Sequence, residues 1–91
     1  MTITITESDI ANGQSSACTL CPIALALERA TGERWFVGTK GVTLLVHLGD
    51  PEGTWSLLPD AARAFVQAFD KGQSVEPFSF ELDIPAAPAA A

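Results

Sequence analysis

The sequence predicts an α+β fold: a two-layer sandwich of a mainly antiparallel sheet of four or five strands with two helices, in the order β-α-β-β-(β)-α-β. Three observations carry this. The chain begins and ends on strict apolar/polar alternation, at Thr2-Ile3-Thr4-Ile5-Thr6 and Phe78-Ser79-Phe80-Glu81-Leu82-Asp83-Ile84. Two segments, 20–31 and 59–71, repeat apolar residues at helical spacing. Glycine and proline clusters cut the middle into short strand-sized pieces.

The first strand places Ile3 and Ile5 inward, and its β-branched residues suit a pleated surface. Thr6 followed by Asp9 is a variant of the capping box, so one or two helical turns are expected before Gly13. The first long helix runs from Leu20 to Thr31, with Pro22 in the first turn, where its missing N–H has no intrahelical partner. Leu20, Ile23, Ala24, Leu27 and Ala30 form its stripe, and Gly32 ends it. Arg34 to Val37 and Val42 to Leu48 are strands about the turn Gly38-Thr39-Lys40-Gly41; the second puts Val42, Leu44, Val46 and Leu48 on one face. Asp50-Pro51-Glu52-Gly53 fits a type I turn before a short strand, Thr54 to Leu57. Pro59 opens a second helix with Ala62, Phe65, Val66 and Phe69 inward and Gly72 as its cap. The last strand points Phe78, Phe80, Leu82 and Ile84 inward, and Pro77 and Pro85 mark it as an edge or terminal strand. Residues 1–84 make one domain and 85–91 a Pro/Ala-rich tail, expected to be extended. Discounting the short third central strand leaves the order of a ferredoxin-like split βαβ.

Composition narrows the function. With 47% hydrophobic residues in 91, the chain has enough apolar material for a core, yet it is small enough for a partner to matter. Five Lys and Arg against eleven Asp and Glu give a net charge of −6, and the five cations are scattered. Nucleic-acid and anionic-membrane binding need clustered cations, so neither is expected. A helix-turn-helix over 6–30 would leave Arg29 as the sole cation of its reading helix. No signal peptide or membrane-length apolar run is read, so the expected compartment is the cytoplasm, with reduced thiols.

Cys18-Thr19-Leu20-Cys21-Pro22 is the one stretch that could name a reaction. A CxxC pair at a helix start can be redox-active, because the helix dipole favours thiolate. The aromatic neighbour and the well-placed proline of thioredoxin-like enzymes are missing. Zinc would need four ligands, and beyond Cys18 and Cys21 the sequence adds His47 as a soft donor. The preferred reading is that Cys21 packs at the helix start and Cys18 sits in the loop. No catalytic residue or cofactor is assigned, and the chain is not expected to be an enzyme. Trp35 and Trp55 stand at strand margins, and Phe36 and Leu45 are expected on the sheet face that the helices leave uncovered. These four are the candidate interaction residues, since apolar side chains on such a face suit docking.

The segments Ile3 to Gly13, Cys21 to Ala30 and Val75 to Leu82 resemble a group of small uncharacterised proteins of actinobacteria and their phages. The resemblance implies a compact cytoplasmic accessory protein, phage-encoded in some members, that acts by binding a host protein. The expected function is therefore protein–protein interaction, with a homodimer compatible. The alternative is a thiol redox or zinc module at Cys18 and Cys21.

Overall fold

The computed structural model describes residues 1–15, 17–38, 41–47 and 55–82. The elements are β1 (Thr2–Ile5), α1 (Glu7–Asn12), α2 (Pro22–Thr31), β2 (Trp35–Val37), β3 (Gly41–Leu44), β4 (Ser56–Leu57), α3 (Asp60–Asp70) and β5 (Phe78–Glu81). A 3-10 turn, Leu45–His47, follows β3. The fold is α+β, as expected.

The strands form two antiparallel sheets rather than one. β1 pairs with β5, and β2, β3 and β4 form a meander in that order. No ladder joins the two among the described residues, so the single sheet of a split βαβ is not formed. Helix α2 packs against both β1 and β2 and bridges the sheets. It can do so because its buried side is broad: Pro22, Ile23, Ala24, Ala26 and Leu27 are all buried. This corrects the expected stripe. The helix is capped by Cys21 and starts at Pro22, so Leu20 falls in the preceding turn and is exposed, Ala30 faces out and Ala26 faces in.

Over the described residues, both alternating segments lie as predicted. Ile3 and Ile5 are fully buried, Phe80 and Leu82 are buried, and Ser79 and Glu81 are exposed. Register pairs Ile3 with Phe80 and Ile5 with Phe78, so the apolar side chains stand opposite one another on one face. Phe65 and Phe69 of α3 extend that face: Phe65 lies 5.1 Å from Phe78 and 6.1 Å from Phe69, centroid to centroid. Such aromatic contacts stabilise beyond area burial and fix α3 on the β1–β5 ribbon. Helix α3 closes with Gly72 in the left-handed region (φ 74°), whose N–H bonds to the Phe69 carbonyl while Gln73 N–H bonds to Ala68. That is a Schellman motif, and only glycine adopts its backbone without strain.

The capping box forms: Thr6 Oγ1 accepts from Asp9 N–H, and Asp9 Oδ2 accepts from Thr6 N–H. Asp9 does more than cap. It is 4% exposed, and Arg29 of α2 donates to both its oxygens, at 2.6 and 2.9 Å. The same guanidinium donates to the Thr4 carbonyl at 2.8 Å. One ion pair thus ties β1, α1 and α2 together. Burial pushes the Asp9 carboxyl up, but the hydrogen bonds from Arg29 and Thr6 outweigh it and hold it below its ordinary value. Asp9 raises the Arg29 guanidinium in return.

Beyond Leu44 the expected strand fails. β2 opposes β3 from Trp35↔Leu44 to Val37↔Val42, and the last backbone bond runs from Leu45 N–H to the Arg34 carbonyl. Among the described residues the pairing ends there: the chain turns at Leu45–His47, and Val46 is 77% exposed rather than inward. The expected turn at residues 39–40, the stretch from Leu48 to Thr54 with its type I turn, and residues 83–91 with Ile84 and the Pro/Ala-rich tail lie outside the described residues.

Candidate interaction surface

The three-stranded sheet sorts its side chains by alternation and register. Trp35, Val37, Val42, Leu44 and Ser56 share the inner face. Phe36, Gly41, Thr43 and Leu57 share the outer one. Trp55 precedes Ser56 by one residue and so joins the outer face, level with Thr43. Its ring meets that of Phe36 edge to face, centroids 5.9 Å apart at 87°. Thr43 stands between the two in register and is fully buried, on the face away from the core. Trp55 remains 48% exposed and Leu57 78%.

Two glycines shape this face. A Cβ on Gly41 would lie 2.6 Å from the Ser56 carbonyl oxygen, so the close approach of β3 and β4 requires glycine there. Gly38 lies under the aromatic pair: its Cβ would contact both the Trp55 and Phe36 rings. The outer edge of β2 is closed by Cys18, whose carbonyl accepts from Val37 N–H at 2.8 Å.

The four sequence candidates separate. Phe36 and Trp55 come together on the outer face. Trp35 does not join them: it is 4% exposed, and its indole N–H donates to Thr31 Oγ1 at 2.8 Å. Thr31 in turn donates to the Leu27 carbonyl at 2.7 Å, so Trp35 is fastened to the last turn of α2 as a core residue. Leu45 is half-buried in the 3-10 turn, where strand alternation no longer assigns a face. His47 lies in the same turn and not on the expected strand. Leu57 was missed, although its period-2 spacing from Trp55 is visible in Trp55-Ser56-Leu57.

The cysteines lie beside a cleft of about 200 Å³ that Val37, Val66 and Asp70 also line. Both are free thiols. Cys21 is buried, and its Sγ accepts from Ala24 N–H at 3.5 Å as the N-cap of α2. Burial pushes its thiol pKa up, only partly offset by backbone hydrogen bonds from Ala24 and Ile23. That is opposite to what a nucleophilic thiolate needs. Cys18 is exposed in the loop. Among the described residues no three His, Cys, Asp or Glu side chains converge to hold a metal. A thiol-labelling reagent at neutral pH is expected to modify Cys18 in a fast phase and Cys21 only after denaturation, read by mass spectrometry; two equally fast thiols would contradict the cap. Cys21→Ser keeps a cap acceptor, whereas Cys21→Ala should lower stability by about 1 kcal/mol in urea titration.

A wider groove of about 420 Å³ runs past Glu7, Ile10, Ala11, Val75, Glu76 and Pro77, shallow and open to solvent. On the inner face, the Ser56 hydroxyl is buried without a hydrogen-bond partner among the described residues. Ser56→Ala is therefore expected to be neutral or to stabilise by up to about 1 kcal/mol. A clear loss of stability would show that the hydroxyl is satisfied after all.

Comparison with protein-family models, curated proteins and solved structures finds no match to this chain. Among the described residues no helix is long and apolar enough to cross a membrane.

Proposed function

We propose that this chain is a small binding protein that docks a partner protein on the outer face of the β2–β3–β4 sheet. The observation that carries the reading is the Phe36–Trp55 pair with Leu57 beside it, apolar and solvent-facing on the side of the sheet away from the core. Half-exposed tryptophan held by an aromatic neighbour is a typical interface anchor: its position is set before binding, so little side-chain freedom is lost on docking. Among the described residues, the titratable groups with moved pKa values have structural partners, Asp9 and Arg29 tying helices to a strand and Cys21 capping one, which supports a binding reading over a catalytic one. On the resemblance noted in the sequence, the partner we propose is a host-cell protein, met in the cytoplasm.

Affinity capture with the wild type, Trp55→Ala and Leu57→Asp tests this, followed by hydrogen exchange on the recovered complex. Both side chains are substantially exposed, so each variant should stay within about 1 kcal/mol of wild-type stability. Binding should fall on the order of 10-fold or more for each, and protection should map to β2, β3 and β4. A partner that binds both variants normally, or a footprint on another surface, would overturn the proposal. A second copy as the occupant would appear as a dimer in sedimentation that Leu57→Asp dissociates.

A further inference from the structure

We draw no further inference here: the strongest candidate, the apolar patch of Phe36, Trp55 and Leu57 on the outer face of the three-stranded sheet, belongs to the surface already proposed, and nothing in the structure shows what covers it.

Discussion

Asp9→Ala is expected to lower stability by about 2–3 kcal/mol at neutral pH. The substitution removes the N3 half of the capping box, leaves Thr6 N–H without its acceptor and frees Arg29 from both carboxylate oxygens and its fixed pose on the Thr4 carbonyl. The figure sits below that for a deeply buried pair because the Arg29 side chain is 52% exposed, and water screens and re-solvates it. Against a total stability of about 5–15 kcal/mol for a domain, the loss is large. Asp9→Asn should be milder, since its amide oxygen still caps α1.

The pH dependence has a definite sign. The Asp9 carboxyl is lowered in the folded state, so the folded protein binds its proton less readily than the unfolded chain does. Its contribution is complete above the unfolded carboxylate pKa, about 4, and is lost as pH falls through the folded value. Urea midpoints between about pH 7 and pH 2 should therefore converge for wild type and Asp9→Ala at the acid end and separate at the neutral end. The difference isolates Asp9 from the other carboxylates. A constant gap across the range, or no gap at neutral pH, would mean that the Arg29–Asp9 pair does not hold the three elements.

Gly41→Ala should cost about 2 kcal/mol, within the range for a side chain forced into a packed site. The added Cβ meets the Ser56 carbonyl oxygen at 2.6 Å and the Leu57 Cα at 3.5 Å, both backbone atoms, so no side-chain rotation relieves the clash. β4 must move from β3, which carries Trp55 away from Phe36. A red shift and easier quenching of tryptophan emission should accompany the loss, arising from Trp55 because Trp35 is buried in the core. The shift should disappear when Trp55→Phe is added. If Gly41→Ala matches wild type in both stability and emission, the β3–β4 approach is looser than described. Binding by the outer face should weaken in the same variant, since the anchor loses its aromatic support.

Helix boundaries were largely legible in the chain because their causes are local. Pro22 at N1, Gly32 and Gly72 past the helix ends, and Thr6 with Asp9 each act within a few residues of themselves. The strand faces of β1 and β5 were legible for the same reason: alternation over several residues has one solution when a single side is buried. The interaction surface was half legible. Phe36 and Trp55 were named from their positions, but nothing local places them 5.9 Å apart across β3.

By itself, then, the sequence determined an acidic α+β chain with its helix caps and its inward-facing end strands. Tertiary structure alone decided how the strands divide, where β3 stops and which tryptophan meets solvent. Trp35 and Trp55 are alike as sequence, each near a turn. One is drawn inward by a hydrogen bond to Thr31 and by α2 packing on β2; the other is left on the opposite face of the sheet, 48% exposed. The difference comes from pairings between residues far apart in the chain. Those depend on which partner strand runs out first and which face a helix reaches, and neither is encoded in the few residues around a tryptophan.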